Sequence, residues 1–453
     1  MRGPNLKLKA VIAELGWSQQ QVAARFVRVA KEMGHSDLLS VGRSTVSMWV
    51  TGTQPQGHAP DVLCETLSRG LLRPLRLEEI GLARSSAPSV QNPWEADTLA
   101  ALAELGSDVH RRQFIGTAVY SVTGLALPGS SWWSESVDRA RSRPLSRGTV
   151  TQGDVEAIRD ATRLFQRLDQ QRGGGYGAST ASVFLTEEVL PALRKQAPER
   201  IRSELYTAAS ELVYVLGWSS FDANRHGTAQ RFLQLSVKLA AEAGDRALAG
   251  HVLRALAHQA MDLGHFPQAA SLTAASMDGA CYRAAGPRER ALLGVVHARS
   301  LACVGDHKAS ARALLQAEDD LSDATEGQDE PGRIWFFAQA SLAHETARTL
   351  YTMGDLGSAE REFKRSVRLR PAEFSRTHAV TLGYLGEIQA ARGEIEAACS
   401  TWTQALDTME GVRSGRAKNT VQTMRTVLGT VRGRGIQAVR EVDNRAAEIL
   451  RVT

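Results

Sequence analysis

Four glycines in the second half of the chain, Gly264, Gly305, Gly354 and Gly393, carry the same kind of neighbours at the same offsets. Seven residues before them stand Ala257, Ala298, Ala347 and Gly386; five residues after them stand Ala269, Ser310, Ala359 and Ala398. Every flanking position is small. Two antiparallel helices approach closely only where side chains are tiny, and glycine supplies the left-handed residue in the turn between them. Nine residues after three of these origins come Leu314, Phe363 and Trp402, large enough to fill the next groove. Self-similarity at fixed offsets points to stacked helix pairs rather than an irregular helical bundle. The origins are 41, 49 and 39 residues apart, so the helices are long or the loops carry insertions. An earlier, degenerate pair is expected over 201–243. There Gly217 has Ser210 seven residues before it, but Asp222 occupies a place meant for a small residue.

From about residue 154 onward the chain reads as helix pairs. Period-2 runs and Asn-Gly turns are missing, so no strands are expected. The pattern resembles the tetratricopeptide repeat, carried best by 335–371 (Gly354, Ala359, Phe363, Pro371) and 379–409 (Gly386, Gly393, Ala398, Trp402, Ala405). The resemblance implies an α-solenoid with a concave face that takes an extended peptide or a partner helix. His251, Arg254 and His258 share one helix face, and Arg299 and His344 are placed toward the same groove in later pairs. These five are the candidate ligand-binding residues; the bland alternative is a set of surface polar groups without partners. The run Gly173-Gly174-Gly175-Tyr176-Gly177 lacks a preceding strand and a Gly-Lys-Ser/Thr ending, so it reads as a flexible turn and not as a phosphate loop.

The first 82 residues have another character. Residues 6–15 follow helical spacing up to Gly16, and Ser18 is a good N-cap for a helix opening at Gln19. A short helix is expected at 43–50, another opening at Pro60-Asp61, and a fifth at Leu77–Ile80. Trp17-Ser18-Gln19-Gln20-Gln21-Val22-Ala23 and Arg43-Ser44-Thr45-Val46-Ser47-Met48-Trp49-Val50-Thr51-Gly52-Thr53-Gln54-Pro55 resemble the lambda-repressor/Cro-like helix-turn-helix family, often called the xenobiotic-response-element type. The resemblance implies that Gln19 meets a phosphate and that Arg43, Ser44 and Met48 lie toward base edges with Ser47 beside them, Thr45 also counting among the DNA-binding residues. Thr51 and Thr53 would meet the next phosphate, while Val46 and Trp49 anchor the helix inward. Arg43 suits guanine O6 and N7, and Met48 suits a thymine methyl. Nineteen residues separate Ala23 from Arg43, far more than compact family members have. The second helix is therefore expected to continue through Met33, with Gly34 to Gly42 looping out.

Between the two parts, residues 83–153 read as a linker with one or two helices. Residues 83–100 are linker-like, 113–127 form an apolar helix or buried segment, and 128–150 are a Ser-, Arg- and Pro-rich loop. Residues 1–84 hold 11 Lys/Arg against 7 Asp/Glu, and residues 411–453 hold 9 against 3, in a chain of net charge +5. Basic ends around an acidic middle point to a polyanion partner. The Arg-rich tail from Arg413 to Arg451 either caps the solenoid or adds phosphate contacts.

Cys64, Cys281, Cys303 and Cys399 are scattered without metal-ligand spacing, and His251 and His258 are seven apart rather than four. His344-Glu345 lacks the second His of a zinc-protease motif. No apolar run approaches a membrane span. A cytoplasmic protein without catalytic role, cofactor, metal or membrane contact is expected. Joined to repeats, such a head is similar in layout to actinobacterial regulators; Trp218-Ser219-Ser220-Phe221-Asp222 with Arg225-His226-Gly227 adds to that likeness. The expectation is a homodimeric, sequence-specific regulator of transcription on double-stranded DNA. Its repeats would dimerise and sense a peptide or small-molecule effector. The rival is a protein-interaction adaptor that uses the repeat groove, with the head as a docking module.

Overall fold

Short polar residues start the first helices. The Asn5 side chain accepts from the Leu8 amide at 3.0 Å and opens α1 (Leu6–Glu14). Ser18 and Gln21 form a reciprocal capping box that opens α2 (Gln19–Glu32). Gly42 precedes α3 (Arg43–Val50), and α4 (Ala59–Leu71) completes the head. Val22, Phe26, Val46, Val62, Leu63 and Leu67 close a core of their own, in which the Phe26 and Trp49 rings lie 5.2 Å apart. In this computed structural model residues 3–33, 35–71, 73, 75, 77–82, 94–110, 120–325, 330–431 and 435–452 are described. The expected fifth helix is a turn instead. Leu77 to Ile80 is too short to close a stable α-helical turn. Ile80 and Leu82 still enter the core, and the Asn5 side-chain Nδ2 donates to the Ile80 carbonyl at 2.9 Å. As expected, α2 runs to Glu32 with Met33 as its cap, followed by a 3-10 turn at Ser36–Leu38.

The segment taken for a linker is largely built into the body. Helix α5 (Thr98–His110) and α6 (Ser131–Arg141) lie on the body, and Trp94, Leu99, Leu102, Tyr120 and Trp132 join its core. Residues 128–150 thus contain a helix where a loop was expected: Trp132 supplies the apolar anchor. They also hold a strand, β1 (Ser146–Thr149), paired in parallel with β2 (Lys195–Gln196). Backbone bonds such as Val150 N to Gln196 O, 2.9 Å, make this ladder, and no apolar alternation accompanies it for the sequence to reveal. The linker reading of 83–93 and the apolar reading of 113–119 fall outside the described residues.

The body is all-α apart from that ladder. It begins with α7 (Gln152–Arg172), α8 (Gly174–Phe184) and, after a π-turn, α9 (Leu190–Leu193). Helix pairs then stack: α10 (Glu199–Asp222) with α11 (His226–Ala243), and α12 (Arg246–Asp262) with α13 (Phe266–Ser276), followed by short α14 (Gly279–Ala284). Next come α15 (Pro287–Cys303) with α16 (His307–Ser322), α17 (Gln339–Thr352) with α18 (Leu356–Leu369), α19 (Ser375–Ala391) with α20 (Ile395–Thr408), and α21 (Gly415–Val431) with α22 (Gln437–Val452). Gly264, Gly305, Gly354 and Gly393 have φ of +81° to +86°, so each turn uses the left-handed residue the repeat requires.

The first pair keeps the same rule in a different register. Its turn residue is Asn224, with φ +60°, rather than Gly217. Counted from Asn224, Gly217 stands seven before, Ala229 five after and Leu233 nine after. Asparagine tolerates the left-handed region, so it replaces the glycine. The long 49-residue spacing comes from an insertion between α16 and α17, where a 3-10 turn (Gly332–Ile334) leads into Trp335, Phe336 and Phe337.

The stack returns on itself. Helix α19 packs on α7, and Arg376 of α19 bonds Asp169 of α7 at 3.0 Å and Asp222 of α10 at 2.8 Å. The Gly175 amide donates to the Arg413 carbonyl at 3.1 Å, and Asn224 and Asn419 bond each other. The glycine run 173–175 is therefore the seam of a closed ring. A Cβ on Gly173 would meet the Arg413 backbone, and one on Gly174 would meet that of Ser219. Close backbone approach, not flexibility, explains these glycines.

Candidate functional site

On the head, α3 turns Val46 and Trp49 inward against Phe26, and both are buried. That leaves Arg43 and Ser44 exposed, with Met48 49% accessible and Thr51 and Thr53 open beyond the helix end. Thr45, Ser47 and Gln19 are half-buried on the same module. The Thr51 hydroxyl donates to the Met48 carbonyl at 3.0 Å, which fixes the helix end. Gly42 gives α3 no side-chain cap, so its first amides point outward without a side-chain acceptor.

The head meets the body elsewhere. Glu32, at the end of α2, accepts from His265 in the α12–α13 turn at 2.8 Å and takes both guanidinium nitrogens of Arg69 at 2.8 and 2.9 Å. Glu65 of α4 accepts from Arg69 at 2.8 Å and from the Val122 amide at 2.8 Å. Tyr120 stacks on His265 with ring centroids 5.7 Å apart. Burial pushes Glu32 upward, but the bonds from His265 and Arg69 outweigh it and hold the carboxyl below its usual range. Every one of these contacts leaves the outer face of α3 open.

The ring encloses the second site, a partly open cavity of ≈ 110 Å³. Tyr214 and Trp218 come from α10, Arg254 and His258 from α12, and Trp335 and Phe336 from the insertion. His344 and Glu345 of α17, Arg370 and Phe374, Arg376 of α19 and Arg416 of α21 complete much of the wall. Trp335 stacks on Phe374 at 5.1 Å, and Arg416 lies 5.1 Å from the Phe221 ring centre.

Of the five candidate ligand residues, Arg254, His258 and His344 meet on this wall. His251 and Arg299 lie behind it; all five are buried, so the picture of partnerless surface groups is corrected. His251 is fully enclosed and is pushed down to about 4 by burial, partly opposed by its bond to Glu289. Its Nδ1 is 2.9 Å from Glu289, and its Nε2 is 3.1 Å from Arg254 Nη2. A neutral ring that donates from Nδ1 and accepts at Nε2 satisfies both contacts. Arg299 bonds Asp262 at 2.7 Å and Glu345 at 3.5 Å, which holds these two carboxylates in place. Burial, joined by nearby arginines, puts His258 and His344 well below the ordinary histidine range. His344 Nδ1 is 2.9 Å from the Thr381 hydroxyl.

Five arginines and two carboxylates line the cavity. Arg333 is answered by Glu289 and Glu211, Arg376 by Asp169 and Asp222, and Arg416 by Asp262 at 3.8 Å. Arg254 and Arg370 have no carboxylate within ion-pair distance among the described residues. Arg254 bonds the Tyr214 hydroxyl at 3.0 Å, and Arg370 bonds the Ala340 carbonyl at 2.9 Å and the Ser366 hydroxyl at 3.0 Å. Both Nε atoms are buried without a partner. Burial and the neighbouring Arg376 pull Arg370 down to about 10. Sequence spacing missed Arg370, Arg376, Arg416 and the aromatic insertion. Trp218 with Tyr214 one turn earlier was the available signal. Among the described residues no group of three or more His, Cys, Asp or Glu is placed to hold a metal ion, and no helix is long and apolar enough to cross a membrane.

A family model described as the SP15 N-terminal domain matches residues 8–83. No curated protein matches the chain. Among solved structures, a chain titled "Circular tandem repeat protein with novel repeat topology and enhanced subunit contact surfaces" is 15% identical, with 99% of this chain and 96% of that chain covered, at a TM-score of 0.19.

Proposed function

We propose that this protein is a sequence-specific DNA-binding regulator of transcription whose ring-shaped body senses a signal. The observation that carries the reading is the placement of α3. Its inner residues are locked into the head core while Arg43, Ser44 and Met48 stand free of the body. A helix held in this way, in an N-terminal segment (1–84) of 11 basic against 7 acidic residues, suits the major groove and the phosphates beside it. Ser and Thr discriminate bases weakly, so Arg43 carries most of the direct readout and phosphate contacts carry much of the affinity. One such helix covers a half-site, so the regulator acts as a homodimer on paired half-sites.

The test is selection of bound duplexes from a random pool, followed by binding isotherms at several salt concentrations. We expect one preferred, two-fold symmetric site, affinity that falls with salt, and a loss of about 1–3 kcal/mol in discrimination for Arg43→Ala. The adaptor reading predicts no DNA binding, or binding indifferent to base sequence. Either result sinks the regulator.

A further inference from the structure

We infer that the cavity inside the ring binds a small organic anion that carries one ring-sized apolar group, with Arg254 and Arg370 as receptors for the negative charge. The inference rests on the sensor reading of the body for its meaning, but the binding site itself does not need the head.

A buried guanidinium normally has a carboxylate nearby, because burial without compensation is costly. The other three arginines on this wall follow the rule. Arg254 is 2% exposed and Arg370 9%, and neither follows it. They sit on separate elements, α12 and the end of α18, yet both line one cavity, and each has an Nε hydrogen without an acceptor. Arg376 Nε on the same wall is likewise buried without an acceptor, and His258 Nε2 has only Asp262, 3.8 Å away. The wall therefore holds two guanidiniums without an ion-pair carboxylate among the described residues, each with an Nε hydrogen that has no acceptor. A carboxylate or phosphate satisfies both, since a guanidinium binds either group strongly.

Size and lining set the rest of the ligand. A cavity of roughly 150 Å³ is known to hold one benzene ring. The ≈ 110 Å³ found here is smaller, so it excludes an extended peptide and admits at most one ring, seated partly in the open mouth with its short charged arm toward the wall. Trp218, Trp335, Phe336 and Phe374 supply the aromatic surface that receives the ring.

The experiment is titration of the full chain with phenylacetate, phenyl phosphate and phenethylamine, read by calorimetry and by tryptophan fluorescence, since Trp218 and Trp335 lie on the wall. We expect saturable one-to-one binding of at least one anion and none of the amine; the two anions separate carboxylate from phosphate recognition. Arg370→Gln and Arg254→Gln should each weaken binding by about tenfold or more. Arg370→Met should also raise the melting temperature of the unliganded protein, because it removes an uncompensated buried charge. Equal binding of all three probes overturns the proposal. So does the absence of anion binding in a protein with an intact helical melt, or an Arg370→Met variant that melts no higher. Anion binding that leaves DNA affinity unchanged upholds the site and overturns only the regulatory reading of the ring.

Discussion

At the residue scale, the interior of the ring is a set of charges held at fixed protonation. His251 and Glu289 form one such unit. Burial moves His251 down from 6.5 to about 4, and the bonds from His251 and Arg333 outweigh burial to bring Glu289 down from 4.5 to about 2. As pH falls from 6.5 to 4, the unfolded histidine takes up a proton that the folded one refuses, so stability is lost across that window. Glu289 adds a loss in the same direction between 4.5 and 2. Asp169 acts oppositely: burial raises it to about 6 from 3.8, so its folded form keeps a proton the unfolded chain releases, and it favours folding as pH falls toward 3.8. His251→Gln should therefore flatten the pH dependence of stability between 6.5 and 4, by an amount on the order of 2–3 kcal/mol across the window. Urea midpoints of the wild type and variant at pH 7, 6, 5 and 4 would show it. Parallel curves would mean that His251 is not held neutral by burial.

At the scale of elements, the repeat turn separates two reasons for glycine. Gly354 sits at φ +86° with open space around it, so an added methyl meets no neighbour and only the backbone is strained. Gly386 has ordinary helical backbone, but a methyl there would run into the buried Trp402 indole. We expect Gly354→Ala to cost roughly 1–2 kcal/mol and Gly386→Ala to cost about 1–3 kcal/mol by overpacking. Trp402→Leu should relieve the second and leave the first untouched, which thermal melts of the two double variants would report. This contrast also explains what the sequence revealed. Small residues at fixed offsets are local requirements of a helix pair, so α12 to α20 were legible, as were Ser18, Gly42 and the extent of α2. The first pair was legible over 201–243, but Asn224 hid its register, because a residue other than glycine meets the same conformational need at the turn. The β1–β2 ladder and α6 hid because backbone pairing and a single anchoring tryptophan leave no periodic trace. The cavity was half legible. Arg254, His258 and His344 share a periodicity, but Arg376 finds Asp169 and Asp222 only after the stack has turned far enough to meet itself. No short window of sequence records that angle.

At the scale of the whole molecule, one helix links the two sites. Helix α12 carries Arg254 and His258 on the cavity wall and ends at Asp262, which Arg299 holds at 2.7 Å. Three residues later His265 bonds Glu32 of the head. The head has a separate apolar core, so its attachment depends on this polar contact, on the stacking of Tyr120 with His265, and on the acceptance of the Val122 amide by Glu65. Removing His265 leaves Glu32 bound to Arg69, so the head stays folded while its hold on the body weakens. His265→Ala should therefore speed hydrogen exchange at the Val122 amide by about tenfold or more, as expected for loss of a hydrogen bond to a charged group worth roughly 1.5–3 kcal/mol. Amides of α2 inside the head core, such as Phe26, should exchange as before. Exchange that accelerates in both places would show that His265 supports the head fold rather than its docking. An unchanged Val122 amide would show that the turn after α12 does not hold the head, and would remove the physical link by which an occupant of the ring could reposition α3.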